Sequence, residues 1–154
     1  MQAATLLKVD DAKCIADLHA EVFEPAGRWS RADFSDLLRL PSMLCLGSHQ
    51  DGELSGVLLI QKAAPTAEIL TLAILPTQQR CGIASHLLRA GLQILGQTGI
   101  ETILLDVSED NKGALGFYRH HAFTEDGRRK EYYRTSNGQR KDAILMSRPI
   151  AGQT

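Results

Sequence analysis

The segment Leu75-Pro76-Thr77-Gln78-Gln79-Arg80-Cys81-Gly82-Ile83-Ala84-Ser85 decides how the rest of this chain is interpreted. It connects the end of an almost wholly apolar run at 68–75 to the start of a helical pattern at 82–97. A short apolar run that ends at a proline predicts a central strand covered on both faces. The segment is therefore a turn from a buried strand into a helix that begins at a glycine.

This strand-to-helix turn has the chemistry of an anion site. The first N–H groups of a helix have no partner within the helix, and the helix dipole favours negative charge there. Gly82 and Ala84 lack bulky side chains, so a phosphate can approach the backbone, and Arg80 adds a cation. The segment matches neither a Walker A loop nor the Gly-x-Gly-x-x-Gly dinucleotide fingerprint. The alternative is a plain turn in which Gly82 only relieves crowding.

The elements around this turn are short and alternate in type, as apolar periodicity and capping and turn signals indicate. Towards the amino terminus we predict a strand at 4–9 and then a helix that Asp10 or Asp11 caps, whose apolar stripe is Ile15, Leu18, His19, Val22 and Phe23. A loop at 24–28 follows, and the capping box Ser30-Arg31-Ala32-Asp33 opens a second helix. Two strands at 43–46 and 54–61 come next, joined through Asp51-Gly52. Towards the carboxyl terminus we predict a strand at 103–107, a helix from Asn111 to about His120, and strands at 122–133 and 142–148 joined through Asn137-Gly138. The order β-α-α-β-β-β-α-β-α-β-β predicts a mixed sheet in a three-layer α/β arrangement.

The composition is that of an ordinary globular domain. The chain has 154 residues, of which 44% are apolar and 23% charged. No apolar run reaches the roughly 18 residues of a membrane span. The first nine residues lack the charged and apolar regions of a signal peptide. We therefore expect a cytoplasmic protein with one domain at 1–150 and a short tail at 151–154.

Cysteine, histidine and charge argue against several other classes of protein. Cys14, Cys45 and Cys81 are odd in number and form no Cys-x-x-Cys pair, and the histidines show no metal spacing, so we predict neither a disulfide framework nor a metal site. The net charge of −1 and the presence of only three tyrosines argue against an RNA-binding module. Residues 71–154 nevertheless carry a net charge of +3, against −4 for residues 1–70. The basic half suits an anionic ligand, although ordinary scatter of charge explains it equally well.

The turn also resembles a known family. Gln79-x-x-Gly82-x-Ala84 is similar to the Gln/Arg-x-x-Gly-x-Gly/Ala signature of the GNAT acetyltransferases, and the element order resembles that superfamily along nearly the whole chain. The resemblance implies a three-layer α/β/α fold with a mixed, mostly antiparallel sheet. It implies acetyl-coenzyme A as donor, with coenzyme A as product. It further implies that backbone groups of the preceding strand pair with the pantetheine arm and that the loop holds the pyrophosphate. The residues so implied are Leu72, Ala73, Ile74, Gln79, Arg80, Cys81, Gly82, Ile83, Ala84 and Ser85.

A second block extends this resemblance. Asn111, Ala114 and Tyr118 look like the Asn-x-x-Ala-x-x-x-Tyr segment of the family. The resemblance implies that Asn111 lies near the cofactor and that Tyr118 lies near its sulfur as the general acid. The alternatives are a plain helix N-cap for Asn111 and simple core packing for Tyr118.

The closing stretch resembles one branch of the family. The segment 127–133 and the segment 137–146 are similar to the Arg-Arg-x-Tyr-Tyr … Gly-x-x-Asp-Ala-x-x-Met ending of bacterial ribosomal-protein-alanine N-acetyltransferases. Arg28-Trp29-Ser30 resembles their early Pro-Trp-Ser. The resemblance implies an acceptor that is the N-terminal alanine of a ribosomal protein. Trp29, Tyr132 and Tyr133 then line a peptide groove, although each is equally explained as a packing or strand aromatic.

Asp106 occupies the position of the general base in that branch. The branch has a Glu twelve residues before its Tyr, and the equivalent residue here is Asp106. An Asp is one methylene shorter, and it would take the proton either directly or through a water that bridges the lost reach. The alternative is an Asp that hydrogen-bonds the following turn. The loop at 24–28 is a second departure, because it is longer than the usual loop of the branch, and its length bears on peptide specificity.

Two other functions remain open at the level of the sequence. One is a GNAT acetyltransferase for a small amine, and the other is a non-catalytic acyl-coenzyme A sensor. The Tyr132-Tyr133 ending favours a protein N-terminus over a small amine. We expect a protein or peptide partner, no membrane, no direct nucleic-acid contact, and a monomer or weak dimer.

Overall fold

The computed structural model describes residues 3–135 and 137–151. The predicted tail at 151–154 therefore lies outside the described residues except for Ala151. The strands are β1 (Thr5–Leu6), β2 (Met43–Gln50), β3 (Glu53–Ala63), β4 (Thr66–Ile74), β5 (Thr102–Ser108), β6 (Thr124–Arg134) and β7 (Arg140–Pro149). The helices are α1 (Ala12–Val22), α2 (Arg31–Leu38), α3 (Ile83–Leu95) and α4 (Lys112–His120).

Local chemistry explains most element boundaries. Ser30 Oγ accepts the Asp33 N–H and the Asp33 carboxylate accepts the Ser30 N–H, so the predicted capping box opens α2. Asp51 and Gly52 have φ of 53° and 82°, the left-handed geometry of a tight hairpin between β2 and β3. Asn111 caps α4 by accepting the Ala114 N–H.

The first predicted strand is too long. The 4–9 pattern forms a strand only at Thr5–Leu6, and a 3₁₀ turn occupies Val9–Asp11. The Asp11 carboxylate accepts the Lys8 N–H at 2.7 Å, which turns the chain out of the sheet and into α1. Asp11 thus stands at the N-cap position of α1, but its side chain makes no cap hydrogen bond to that helix.

The seven strands form one mixed sheet in the order β1-β2-β3-β4-β5-β7-β6. Every neighbouring pair is antiparallel except β4 and β5, which are parallel. The predicted mixed, mostly antiparallel sheet is confirmed. Among the described residues, no helix combines the length and the apolar character that crossing a membrane requires.

Helices cover both faces of the sheet, which confirms the predicted three layers. On one face, α3 and α4 bury the core residues Leu58, Ile60, Leu87, Leu88, Ile103, Leu105 and Leu115. On the other face, α1 and α2 bury the smaller core of Ile15, Leu18, Phe34, Val57, Leu59 and Ala73. Because strand side chains alternate between faces, residue parity along β4 and β5 decides which layer each side chain meets.

The two parallel strands separate partway along their length. β4 and β5 pair only through Thr66–Glu68 and Thr102–Leu104. The register between β3 and β4 shifts there, since Ile60 is opposite Ile69 whereas Leu59 is opposite Thr71. Leu70 is thus an extra residue, and such a bulge bends its strand. The bend turns β4 away from β5 and opens the middle of the sheet.

Candidate active site

A cleft of about 860 Å³ lies where β4 and β5 diverge. Its walls come from both strands and from both helical layers, so a ligand there reaches the sheet from either face. The lining includes Leu72, Ile74, Gln79, Ala84, Asp106, Asn111 and Tyr118, together with His19, Trp29, Thr71 and Tyr133.

The β4 wall presents unpaired backbone. β4 pairs with β3 as far as Ile74, but its pairing with β5 ends at Glu68. Main-chain groups that face β5 beyond that point open onto the cleft, and such an edge accepts an extended chain as an added strand. Leu72 and Ile74 line the cleft, whereas the Ala73 side chain is buried in the α1–α2 core.

The turn from β4 to α3 curls tightly around the cleft. Arg80 and Gly82 both have positive φ, at 63° and 81°, and α3 begins at Ile83. The Gln79 side chain donates to the Ile74 carbonyl at 3.2 Å, which ties the loop back to β4. Residues 83–85 form the first helical turn, where N–H groups have no partner within the helix.

Not all predicted loop residues turn their side chains towards the cleft. Gln79 and Ala84 line it. Arg80 and Cys81 are exposed on the loop, and the Ile83 side chain is buried in the α3 core. Ser85 Oγ is 2.8 Å from His121 Nε2 at the end of α4. For Ile83 and Ser85, a role in holding an anion therefore belongs to the backbone N–H.

α4 brings Asn111 and Tyr118 to the same cleft. Asn111 Oδ1 is 3.1 Å from the Ala114 N–H, so the side chain acts as an N-cap while it lines the cleft. Tyr118 is 7% exposed, and its ring packs edge-on against Phe117 and Phe123. Burial raises the pKa of the Tyr118 phenol, and Tyr133 raises that pKa further. The phenol is thus held in its protonated form.

Asp106 lies on the opposite wall, on β5. Its side chain is 17% exposed, and its Oδ2 is 3.8 Å from Arg129 Nη1. The Arg129 guanidinium also lies 5.2 Å from the centroid of the Tyr132 ring. Arg129 comes from β6 and reaches Asp106 across β7, so the carboxylate has a cation beside it.

The aromatic residues predicted for the acceptor side separate into two groups. Trp29 and Tyr133 line the cleft, whereas Tyr132 is 52% exposed and lies under Arg129. Tyr132 and Tyr133 are adjacent on β6, so their side chains point to opposite faces of the strand. Burial, followed by the charge of Asp106, raises the pKa of Tyr133 to about 12.

Sequence reasoning missed three residues of the cleft region. His19 is 2% exposed, lines the cleft and accepts the Trp29 N–H through Nδ1 at 3.4 Å. Thr71 lines the cleft at the bulge. Arg129, in the basic run 128–130, is the third, and it lies beside Asp106. The sequence held one usable signal, since strand alternation places Arg129 on the face opposite Arg128.

The structure also bears on a second carboxylate near the cleft and on metal binding. Burial, and then the charge of Asp106, raises the pKa of Glu68, which stands at the end of the paired part of β4. Among residues 3–135 and 137–151, no three His, Cys, Asp or Glu side chains cluster as metal ligands would. Asp106, Tyr118 and Tyr133 line the cleft together with further titratable residues that include His19, Glu24 and Asp110.

Comparison with known proteins gives a consistent result. Residues 13–123 match the model of the acetyltransferase (GNAT) family. The chain is 32% identical over 147 residues to the ribosomal protein bS18-alanine N-acetyltransferase of Escherichia coli strain K12, covering 96% of this chain and 98% of that protein. It is 32% identical over 130 residues to the mycothiol acetyltransferase of Clavibacter michiganensis, but spans only 42% of that longer protein.

A solved structure shows the same architecture. The crystal structure of the ribosomal-protein-S18-alanine N-acetyltransferase from Escherichia coli superimposes with a TM-score of 0.90 at 27% identity. The match covers 100% of this chain and 97% of that one.

Proposed function

The chain belongs to the GNAT acetyltransferase family, and from that premise we propose that it acetylates the N-terminal amine of a protein, the N-terminal alanine of a ribosomal protein. The coarser activity follows from the family: the protein is an N-acetyltransferase, and its donor is acetyl-coenzyme A. One observation carries the finer proposal. Asp106, Tyr118, Tyr133 and Trp29 line one cleft, and the relative named for this activity matches along nearly its whole length.

The donor is held by backbone more than by side chains. The open edge of β4 at 72–74 pairs with the pantetheine arm, and the first turn of α3 receives the pyrophosphate. Positive φ at Arg80 and Gly82 shapes that loop, and the Arg80 cation stands at its rim. The Asn111 side chain lines the cleft and lies near the donor.

Proton removal is the task of Asp106. A protein α-amino group has a pKa near ~8, so much of it is protonated at neutral pH and must lose a proton before it attacks. Asp106 takes that proton as the general base. The nearby Arg129 balances the charge of the carboxylate while the cleft is occupied.

Acetyl transfer then occurs in one direct displacement. The amine attacks the thioester carbonyl, and strand N–H groups near 72–74 stabilise the oxyanion. The C–S bond breaks, and Tyr118 gives its proton to the departing thiolate. Cys81 is no nucleophile in this scheme, because its thiol lies exposed on the loop against the Gln79 carbonyl.

The acceptor enters from the α1–α2 side. Trp29 and Tyr133 flank the cleft there, and they suit an extended peptide whose first residue reaches Asp106. Tyr132 lies farther out and contacts residues that follow the N-terminus. We extend the proposal to a single catalytic domain at 1–150 that acts in the cytoplasm, where ribosomal proteins are made.

A coenzyme A-release assay tests this function. It compares a peptide with a free N-terminal alanine, the same peptide N-blocked but containing lysine, and a panel of small amines. We expect release only with the free N-terminus. Release only with small amines would replace the proposal with a metabolite acetyltransferase. Tight acetyl-coenzyme A binding with no release from any acceptor would favour a sensor.

A further inference from the structure

The Thr71 hydroxyl is a polar group that the packing leaves unexplained. Thr71 is 7% exposed and lines the cleft. Its Oγ1 has no hydrogen-bond partner within the described part of the chain. A buried hydroxyl without a partner lowers stability, so its presence calls for a ligand or a water.

The sheet register places Thr71 opposite Asp106. Glu68 and Leu104 are the last paired residues of β4 and β5. With Leu70 set aside as the bulged residue, Thr71 lies two regular positions beyond Glu68. Asp106 lies two positions beyond Leu104. Had the strands stayed paired, Thr71 and Asp106 would have been direct partners.

Both side chains also point to the same side of the sheet. Thr71 is opposite Leu59, which is buried in the α1–α2 core. Leu105 is buried in the α3 core, so its neighbour Asp106 faces the α1–α2 side. This is the side from which the proposed acceptor enters. The pairing of β4 with β5 ends before both residues, and the two side chains line the same cleft.

We propose that Thr71 is a positioning residue, and that its hydroxyl and the Asp106 carboxylate hold one water between them at the acceptor amine. The inference rests on the proposed function, since it takes Asp106 as the base. A bound water needs two to four polar partners, and Thr71, Asp106 and the amine provide three. The water makes up for the short reach of Asp106 across the widened gap.

The proton step balances without any further reagent. The acceptor ammonium gives one proton to the water, and the water gives one of its own to the Asp106 carboxylate. The products are a neutral amine, an unchanged water and a protonated Asp106, which later loses its proton to bulk solvent. The Thr71 hydroxyl neither gains nor loses a proton in net terms.

The first test compares Thr71→Val, Thr71→Ser and the control Thr66→Val. Thr66 is on the same strand but outside the cleft, and its hydroxyl donates a hydrogen bond to the Ala63 carbonyl. We expect Thr71→Val to lower kcat about tenfold with an unchanged KM for acetyl-coenzyme A, since it removes one hydrogen bond to the bridging water. Thr71→Ser and Thr66→Val should keep kcat within about twofold of the parent. Full kcat in Thr71→Val would overturn the proposal.

A stability measurement separates this role from a structural one. Valine has nearly the shape of threonine, and it replaces a hydroxyl that has no partner. Thr71→Val should therefore unfold at the same temperature as the parent or higher, while its kcat falls. A kcat loss that appears only together with a lower unfolding temperature would count against the water.

A double-mutant cycle with Asp106 distinguishes failure of this inference from failure of the function. Asp106→Glu spans the gap by itself, so Thr71→Val should then cost less than about twofold in kcat. An equal loss in both backgrounds would show that Thr71 acts independently of Asp106 and would refute the bridge. Asp106→Asn tests the base alone: full kcat in that variant would remove Asp106 as the base, whereas a parent enzyme that releases no coenzyme A with the free N-terminal peptide would reject the proposed function.

Discussion

Tyr118 is the residue whose surroundings most directly match its proposed chemistry. Its phenol is buried at the edge of the α3 core, and burial raises the pKa well above that of a free tyrosine. The hydroxyl stays protonated across the neutral range and so has a proton to give, while its raised pKa makes it a weaker acid than a free tyrosine.

Replacing Tyr118 by Phe tests this role. We expect kcat to fall at least about tenfold, because the thiolate loses its proton donor, while the affinity for acetyl-coenzyme A changes little. Steady-state kinetics and calorimetric binding of acetyl-coenzyme A measure the two effects. The aromatic contacts with Phe117 and Phe123 remain, so the unfolding temperature is the control. Unchanged kcat would remove Tyr118 from the mechanism.

Two adjacent arginines of β6, Arg128 and Arg129, have different ion-pair partners. Arg128 pairs with Glu109 and Asp142 on the exposed side, whereas Arg129 pairs with Asp106. Adjacent residues of a strand point to opposite faces, so two neighbouring arginines serve different surroundings. Composition alone treats them as one basic run.

At the scale of elements, the turn between β4 and α3 is the feature that sequence reasoning described best. The turn is stabilised by left-handed backbone at Arg80 and Gly82 and by the Gln79 bond to Ile74. Gly82 stands at the N-cap of α3 with φ of 81°, where only glycine is unstrained.

Gly82→Ala should therefore affect both stability and donor binding. We expect a loss of about 1 kcal/mol in the free energy of unfolding from the left-handed conformation. We also expect weaker acetyl-coenzyme A binding, because the loop must shift. Gly99→Ala is the matched control, since Gly99 has φ of 79° and an added Cβ meets nothing within 4 Å.

Urea unfolding and calorimetry compare the two glycine variants. Both should lose similar stability, and only Gly82→Ala should bind the donor more weakly. Equal donor affinity in the two variants would show that the loop backbone does not hold the pyrophosphate.

At the scale of the whole molecule, the divergence of β4 and β5 unites the two halves of the site. The proposed donor side lies against α3 and α4, and the proposed acceptor side lies against α1 and α2. His19 anchors the acceptor layer: its ring stacks 5.4 Å from Trp29 and lies 5.3 Å from Phe34. Burial lowers the pKa of His19 to about 4.

This depressed pKa makes overall stability fall in mild acid. An unfolded His takes up its proton near pH 6.5, whereas the folded His19 resists protonation down to about pH 4. As the pH falls through that window the unfolded state gains protons first, so the free energy of unfolding drops by up to about 3 kcal/mol. Stability is unaffected by this group above pH 6.5, where both states are neutral.

Urea unfolding of His19→Phe across this pH window measures the effect. The variant removes the titrating ring and keeps an aromatic group, so its stability should depend less steeply on pH than that of the parent. His120→Phe is the control, because His120 is exposed at the end of α4. Parallel pH profiles for His19→Phe and the parent would contradict the assignment.

The sequence by itself determined the element order, the mixed sheet and the turn from which α3 begins at a glycine. These features depend on local signals that act within a few residues: the capping box at Ser30, the Asp51-Gly52 hairpin, the cap at Asn111 and the glycine at the start of α3. A local signal has the same physical effect wherever the element lies in the fold. The assigned roles of Asp106 and Tyr118 came from resemblance and stay proposals.

Tertiary structure alone decided which residues face the cleft. The bulge at Leu70 sets Thr71 against Asp106, and the pairing of β6 with β7 places Tyr133 in the cleft and leaves Tyr132 outside. Likewise β7 pairs with β5 on one side and with β6 on the other, which brings Arg129 of β6 to Asp106 of β5. Strand register arises from contacts between distant segments, and one extra residue reverses the direction of every side chain beyond it, so no local pattern could reveal it.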